Sequence, residues 1–272
     1  MKPLNILASY SYIAGIQDAI MEDRGRIRLL LDSGAFTAWK AGTTISLDEY
    51  CRFLETTKLP IWRYFVLDKI GDADETQRNL EIMLKRGFNP IPIFTRGEDP
   101  AHLDELYRVS DLVAVGGLVM TGGNTGFVKG IMRHIGERDC HWLGFTRMDW
   151  VKHYRPYSID SSGWAAGVRY GCLNLYMGGG KYQRLGSEDF IDRPDPKIMR
   201  RLRELGIDPK RLGNRDQWRN FEGLALRDAT YSSAIAASED IEANLETKQF
   251  LVVSSGNQVR KMFRTREELM AA

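Results

Sequence analysis

Short apolar runs rich in β-branched residues recur along the first 180 residues, and amphipathic segments separate them. In these segments the apolar residues lie three or four positions apart, as on one face of a helix, and Ser46 with Glu49 forms a capping box at the start of one of them. Strands that alternate with helices are typical of a parallel sheet joined by crossovers. The apolar runs predict eight strands, at residues 4–10, 27–32, 63–68, 90–95, 112–118, 141–146, 157–160 and 173–177.

Eight such strands in a chain of 272 residues predict a (β/α)8 TIM barrel, a fold that commonly uses about 250 residues as one domain. After about residue 180 the alternation stops, and helical patterns cover 196–205, 216–229 and 231–245. From residue 247 a short apolar run precedes a basic amphipathic segment. We therefore expect one α/β domain over residues 1–272, in which 181–272 is a helical C-terminal extension packed on the barrel.

The composition favours an ordered protein, with 43% of residues hydrophobic and 27% charged. The three cysteines, Cys51, Cys140 and Cys172, have neither the even count nor the CxxC spacing of a disulfide framework or a zinc site. The N-terminus lacks a signal-peptide pattern, and no stretch approaches the roughly 18 apolar residues of a membrane-spanning helix. We expect a cytoplasmic protein that uses no metal, no cofactor and no membrane.

The net charge of +2 gives no global argument for a polyanionic partner, but the charge is unevenly distributed. Between Arg193 and Arg219 there are nine basic residues against four acidic ones. Such a run is either a solvated helix face or a surface that contacts a phosphate backbone. Its basic residues are Arg193, Lys197, Arg200, Arg201, Arg203, Lys210, Arg211, Arg215 and Arg219.

Three aspartates end predicted strands, at Asp32, Asp68 and Asp160. In α/β barrels the active site is built at the carboxyl ends of the strands, so polar residues at these positions are candidates for chemistry. A single aspartate after a strand is as often a helix cap or turn former. Because three occupy the same position in three repeating units, we expect them to form a site.

The residues around these aspartates suit a planar ligand. Asp32 is followed by Ser33 and by Gly34, which allows a tight turn and a close approach, and Phe36 offers a flat apolar face. Another strand ends in Gly116-Gly117-Leu118, where a backbone without side chains can present N–H and C=O groups to a heterocycle.

The order of these pieces resembles the tRNA-guanine transglycosylase superfamily over about residues 27–165. The matching pieces are Asp-Ser-Gly-x-Phe at 32–36, Val-Leu-Asp at 66–68, Gly-Gly-Leu at 116–118 and the late strand-ending Asp160. The resemblance implies exchange of guanine for a 7-deazaguanine base related to queuine or preQ0. Asp160 would then be the nucleophile that forms a covalent intermediate, and Asp32 the general acid and base. It also implies that Phe36 stacks on the base. The implied substrate-binding residues are Ser33, Phe36, Asp68, Gly116, Gly117 and Leu118.

The sequence departs from the family at several positions. Residue 35 is Ala where a second Gly is usual, and Thr95-Arg96-Gly97 stands where the tRNA enzymes place a base-reading Gln. The zinc cluster of the tRNA-docking module is missing, since no cysteine follows Cys172 and the last histidine is His153. The chain therefore resembles most closely the branch in bacteriophages and bacterial genomic islands that modifies DNA. DNA is the expected partner, with tRNA less favoured, and the location would be the host cytoplasm if a phage encodes the chain.

A target guanine would have to leave the base stack to reach a pocket at the mouth of a barrel. We expect an opened strand to be held by nucleic-acid-binding residues, the candidates being Trp164, Tyr170, Arg200, Arg201 and Arg203. For Trp164, a place in the hydrophobic core is as well supported by the sequence as a role in nucleic-acid binding. The four histidines form no ligand spacing and are expected at structural or surface positions, and the glycines at 178–180 either contact a phosphate or form a flexible loop.

Four questions stay open at this stage. The same aspartates suit a tRNA-guanine transglycosylase, and paired carboxylates on a barrel also suit a glycoside hydrolase. A barrel that binds nucleic acid without catalysis is a third alternative. The sequence leaves undecided which 7-deazaguanine is inserted, the sequence context of the target and whether the protein forms a homodimer.

Overall fold

The computed structural model describes residues 2–118, 125–191, 195–218 and 224–271. Its strands are β1 (Leu4–Ser9), β2 (Ile27–Asp32), β3 (Ile61–Tyr64), β4 (Ile93–Phe94), β5 (Leu112–Val115), β6 (Asp139–Trp142), β7 (Ser158–Ser161), β8 (Leu173–Gly178), β9 (Lys181–Leu185) and β10 (Lys248–Val253). Its helices are α1 (Gln17–Glu22), α2 (Ala35–Lys40), α3 (Leu47–Thr56), α4 (Ala73–Lys85), α5 (His102–Val109), α6 (Thr125–Ile135), α7 (Met148–Tyr154), α8 (Ala166–Arg169), α9 (Glu188–Ile191), α10 (Pro196–Glu204), α11 (Pro209–Leu212), α12 (Leu224–Leu245) and α13 (Gly256–Ala271).

Eight strands form one parallel sheet in the order β3-β2-β1-β10-β7-β6-β5-β4. The two outer strands approach each other, because Phe65 and Ile91 form an isolated parallel bridge just beyond β3 and before β4. The N–H of Val66 donates to the Ile91 carbonyl at 3.0 Å, and the N–H of Ile91 donates to the Tyr64 carbonyl at 2.8 Å. The sheet is therefore strongly curled. This confirms the predicted α/β class with eight parallel strands, whereas a fully closed barrel stays a prediction.

The eighth strand of the sheet was predicted wrongly. The run at 173–177 forms β8, which pairs antiparallel with β9 in a separate two-stranded sheet. The place in the large sheet belongs to β10, which pairs in parallel with β1 on one side and β7 on the other. A continuous apolar run such as Phe250-Leu251-Val252-Val253 is typical of a strand covered on both faces. Apolar composition alone does not distinguish β8 from β10, because it does not specify the partner strand.

The segment 181–272 is consequently more than the expected helical extension. It contains the helix predicted at 196–205, but a single helix, α12, covers most of the two helices predicted at 216–229 and 231–245. In addition, β10 is an integral strand of the large sheet, and β9 forms a hairpin with β8. Gly178, Gly179 and Gly180 form the turn of this hairpin with φ values of 90°, 56° and 68°, which glycine adopts readily.

Residues between β7 and α12 have a small apolar core of their own. Leu173 and Leu175 of β8 pack there with Ile198 and Leu202 of α10 and with Ala229 of α12. The long helix α12 also contacts β10, so it joins this core to the large sheet. Within the described ranges, no helix is both long and apolar enough to cross a bilayer.

Candidate active site

Three aspartates lie at the carboxyl end of the large sheet, as predicted. Asp32 is the last residue of β2, Asp160 lies in β7, and Asp68 follows β3 by four residues. Because the strands are parallel, these residues lie at the same end of the sheet. The negative charges of Asp68 and Asp160 both raise the pKa of Asp32, so the three carboxyl groups interact electrostatically.

Burial, followed by the charge of Asp68, raises the pKa of Asp32 from 3.8 to about 7. The charge of Asp160 acts in the same direction. Two hydrogen bonds oppose the shift: the Gly34 N–H donates to Asp32 Oδ2 at 3.0 Å, and the side chain of Ser9, its register partner in β1, also bonds to Asp32. A pKa raised towards neutrality lets Asp32 donate or accept a proton near neutral pH.

The turn after Asp32 requires glycine. Gly34 has a φ of 83° and precedes the first residue of α2. A Cβ at this position would lie 2.4 Å from Ser11 Oγ, so a larger residue does not fit without a shift of the neighbouring segment. The turn aims the Gly34 N–H back at Asp32 and starts α2, which carries Phe36, at the same end of the sheet.

Ser33 and Asp68 form a second polar pair beside Asp32. The hydroxyl of the fully buried Ser33 donates to Asp68 Oδ1 at 2.7 Å. Burial raises the pKa of Asp68, and this hydrogen bond counteracts part of the rise. Asp68 also lines a cavity of about 360 Å³ whose wall includes Ala35, Leu67 and Asn79. The lining offers two carboxylates, Asp68 and Glu75, beside apolar side chains such as Ile45, a combination that suits a small polar heterocycle.

Asp160 is buried and is held by two groups of β6 and the following loop. The Gly144 N–H donates to Asp160 Oδ1 at 2.8 Å, and Nε2 of His141 lies 3.2 Å from the same oxygen. The other ring nitrogen of His141, Nδ1, lies 2.8 Å from the hydroxyl of the buried Ser158. The position of this carboxyl is thus fixed by neighbours on both β6 and β7.

The predicted glycine pair ends β5 as expected. The Gly116 N–H donates to the Phe94 carbonyl at 2.8 Å, so this amide is used in the sheet. Gly117 has a φ of 74°, and a Cβ there would lie 2.8 Å from the Cβ of Arg96. Leu118 is buried. The backbone at Gly117 therefore passes close to the neighbouring loop, where side chains larger than hydrogen are excluded.

Phe36 belongs to an exposed aromatic pair that the sequence reasoning only partly anticipated. Its ring is 52% exposed, and Trp39, three positions along α2, is 57% exposed. The two rings stack with centroids 5.9 Å apart, and Lys40 Nζ lies 4.3 Å from the Phe36 centroid. Exposed aromatic rings next to a cation suit the stacking of an unpaired base. The sequence signal for this pair was the three-residue spacing of Phe36 and Trp39, which places both rings on one face of a helix.

Trp164 is fixed by structural contacts. Its Nε1 donates to the Val252 carbonyl at 3.0 Å, and its ring packs edge to face on Tyr231 with centroids 5.0 Å apart. These contacts favour a structural role for Trp164 at the edge of the core, which was the alternative to a role in DNA binding. Tyr170, by contrast, is 76% exposed.

The basic run divides into structural and exposed residues. Arg201 Nε donates to the Tyr176 carbonyl at 2.8 Å, and another of its nitrogens contacts Glu204, so this side chain anchors α10 on β8. Arg200 and Arg203 are exposed. Arg193 and Arg219, the ends of the predicted run, lie outside the described residues.

The glycine turn at 178–180 uses its amides internally. The Gly179 N–H donates to the Asp240 carboxylate at 3.1 Å, and the Gly180 N–H donates to the Tyr176 hydroxyl at 2.8 Å. The Tyr176 hydroxyl in turn donates to Asp240. These contacts favour a structural role for the turn over the phosphate contact that was one of its two interpretations.

His141 and Gly144 are the site residues that sequence reasoning missed. His141 was expected to be structural or exposed, but it is fully buried beside Asp160. The available signal was its place between Cys140 and Trp142 in an apolar strand, since alternate side chains of a strand point to opposite faces. In the part of the chain that the structure describes, no group of three or more His, Cys, Asp or Glu side chains is arranged to hold a metal ion.

The resemblance to guanine transglycosylases stays a prediction. Searches with this chain against protein-family models, curated proteins and solved structures find no match.

Proposed function

We propose that this protein is a guanine transglycosylase that exchanges guanine in DNA for a 7-deazaguanine base through an aspartyl intermediate. The observation that carries the proposal is the unequal pair of carboxyl groups at one end of the sheet. Asp32 has a pKa raised to about 7, whereas Asp160 accepts hydrogen bonds at Oδ1 from the neighbouring strand and loop. Two carboxyl groups in different environments divide acid–base and nucleophilic roles between them.

In the first half of the proposed reaction, a carboxylate oxygen of Asp160 bonds to C1′ of the target nucleotide as the C1′–N9 bond breaks. The bonding electron pair leaves with guanine, and protonated Asp32 supplies the proton that makes the departing base neutral. In the second half, Asp32 accepts the N9 proton of the incoming 7-deazaguanine. Its N9 lone pair then bonds to C1′ as the ester bond to Asp160 breaks, which restores both carboxyl groups.

The base would lie against Phe36, with its polar edge facing the carboxylate of Asp68 and the backbone of Gly117 and Leu118. The buried Ser33 orients Asp68 for this contact. In this proposal the curled sheet is a (β/α)8 barrel, and the bridge between Phe65 and Ile91 marks the junction of its two outer strands. The exposed ring of Trp39 and the Lys40 ammonium group favour an opened DNA strand, since bases stack on exposed aromatic rings.

The test is base exchange measured side by side on single-stranded DNA, duplex DNA and tRNA at one salt concentration. Labelled guanine and several 7-deazaguanines serve as incoming bases, and incorporation is measured by nucleoside mass spectrometry. Asp32→Asn and Asp160→Asn should each lower the exchange rate by at least about 100-fold. Asp111→Asn is the control, because this exposed aspartate precedes β5 at the other end of the sheet and pairs with Arg63.

Three results would contradict the proposal or part of it. Exchange into tRNA alone contradicts the DNA assignment. Release of a sugar from glycosides without base incorporation favours the glycoside hydrolase alternative, which uses the same carboxylate pair. Nucleic-acid binding without exchange on any substrate favours the non-catalytic alternative.

A further inference from the structure

We propose that His141 is a positioning residue that fixes the carboxyl group of Asp160 so that Oδ2 is the oxygen that attacks the sugar. The chemical part of this inference rests on the proposed function. The geometric part, a hydrogen bond from His141 Nε2–H to Asp160, is independent of it.

The sheet register brings the three residues together. His141 of β6 is the register partner of Ser158 of β7. Asp160 lies two positions after Ser158 and therefore points to the same face of the sheet. The imidazole consequently lies between the hydroxyl and the carboxyl group, with Nδ1 at 2.8 Å from Ser158 Oγ and Nε2 at 3.2 Å from Asp160 Oδ1.

The imidazole ring is held in place by apolar packing. It is fully buried, and the ring of Phe65 lies 5.1 Å away between centroids at an angle of 53°. Phe250 of β10 contacts it edge to face with centroids 6.3 Å apart. Because Phe65 follows β3 and Phe250 lies in a strand on the other side of Asp160, rotation of the ring would require movement of two parts of the core.

The hydrogen-bond partners determine the protonation of the two nitrogens. A carboxylate oxygen accepts, so Nε2 carries the proton that it shares with Asp160 Oδ1. Nδ1 then accepts from the hydroxyl of Ser158, which is itself fully buried and needs this partner. The carboxylate of Asp160 therefore selects the Nε2–H tautomer of His141, and the Ser158 hydroxyl, which can donate to Nδ1, is compatible with it.

The same contacts distinguish the two oxygens of Asp160. The Gly144 N–H also donates to Oδ1, at 2.8 Å. Among the described residues, the hydrogen bonds to this carboxyl group all go to Oδ1, which leaves Oδ2 for the bond to C1′. When Oδ2 forms the ester, Oδ1 becomes a carbonyl oxygen and still accepts from both donors. The orientation is thus kept through both halves of the reaction, and both donors stabilise the carboxylate when it leaves.

The first measurement is independent of catalysis. Nitrogen NMR of the imidazole groups, assigned with a His141→Asn variant, should show His141 protonated at Nε2. Asp160→Asn should shift the Nε2–H resonance, whereas Asp111→Asn should not. A proton on Nδ1 alone, or a resonance insensitive to Asp160→Asn, would overturn the inference even if the protein exchanges bases.

The second measurement is the rate at which a covalent adduct forms with a DNA substrate in the absence of incoming base. His141→Asn removes the donor at the Nε2 position and should slow adduct formation by about 10- to 100-fold, since small displacements of a reacting group have such effects. His141→Gln places an amide N–H near the Nε2 position and should restore part of the rate. KM for the incoming base should stay unchanged, because that base contacts other residues.

Ser158→Ala is the second variant, in case substitution at His141 prevents folding. It keeps the imidazole but removes the hydroxyl that hydrogen-bonds to Nδ1 and helps to hold the ring beside Asp160, and we expect a several-fold slower adduct formation with a normal KM. Equal rates in the wild type and His141→Asn, or an equal loss in His141→Asn and His141→Gln, would show a purely structural role. Absence of any adduct in the wild type, with the expected NMR result, would contradict the proposed function but not the pairing of His141 with Asp160.

Discussion

Asp32→Asn should make the protein more stable at neutral and alkaline pH while it abolishes the proposed base exchange. The folded state raises the pKa of Asp32 from 3.8 to about 7. The folded protein therefore binds a proton that the unfolded chain has released between these two pH values, and stability falls as the pH rises through this range. Asparagine carries no charge in the folded or the unfolded state, so the variant does not lose stability through this titration as the pH rises.

The size of the effect follows from the shift of the pKa. One pH unit corresponds to about 1.4 kcal/mol, so the difference between the variant and the wild type should grow by nearly this amount per unit between about pH 5 and pH 6, and by less as the pH approaches 7. The full shift corresponds to about 4 kcal/mol, reached above pH 7. Below about pH 3 the wild-type carboxyl is protonated in both states, and the two proteins should have similar stability.

The assay is urea unfolding followed by circular dichroism at several pH values from 5 to 8. Asp111→Asn provides the contrast, because Arg63 lowers the pKa of Asp111 and its titration lies below this range. Its stability difference from the wild type should be constant from pH 5 to 8. A constant difference for Asp32→Asn as well, or a less stable Asp32→Asn protein at pH 8, would refute the claim that folding raises the pKa of Asp32.

Three further predictions concern the backbone, the metal content and the proposed DNA-binding surface. Gly117→Ala should lower the free energy of unfolding by about 1–3 kcal/mol, because of its positive φ and its approach to Arg96, whereas Gly130→Ala, in helix α6 with open space around it, should be neutral or stabilising. Elemental analysis should find much less than one zinc per chain, and a stoichiometric zinc that resists chelators would contradict this. Replacing both Arg200 and Arg203 by Ala should reduce the salt dependence of DNA binding by a slope of about 2, and an unchanged slope would identify them as a solvated helix face.

The sequence was sufficient for β2, since the run at 27–32 coincides with it, but the strand predicted at 63–68 lies at Ile61–Tyr64, four residues before Asp68. The three aspartates still lie at one end of the sheet, because parallel strands place their carboxyl ends together. The identity of the eighth strand was not accessible, since the runs that form β8 and β10 are both short and apolar. Which of them enters the sheet depends on packing between segments far apart in the chain.

The contact between His141 and Asp160 likewise could not be predicted from the sequence. The role of His141 depends on its register partner Ser158 and on Asp160, two residues further along β7. Strand register is set by three-dimensional packing and by the lengths of the connecting segments, neither of which a periodicity count describes. A buried histidine in an apolar strand indicates an inward polar contact, but only the register identifies the contact.

The position of β10 has a consequence for how the chain folds during synthesis. Among the described strands β10 is synthesised after all the others, yet it lies between β1, which is synthesised before them, and β7. Until it emerges, β1 and β7 are unpaired edges, and exposed strand edges are sites of association between chains. Pairing of Ile6 with Leu251 is among the most non-local contacts that the chain can make, and such contacts form slowly. A nascent chain that stalls before residue 248 would therefore display two open edges flanking the place where Asp160 and its partners are to be assembled.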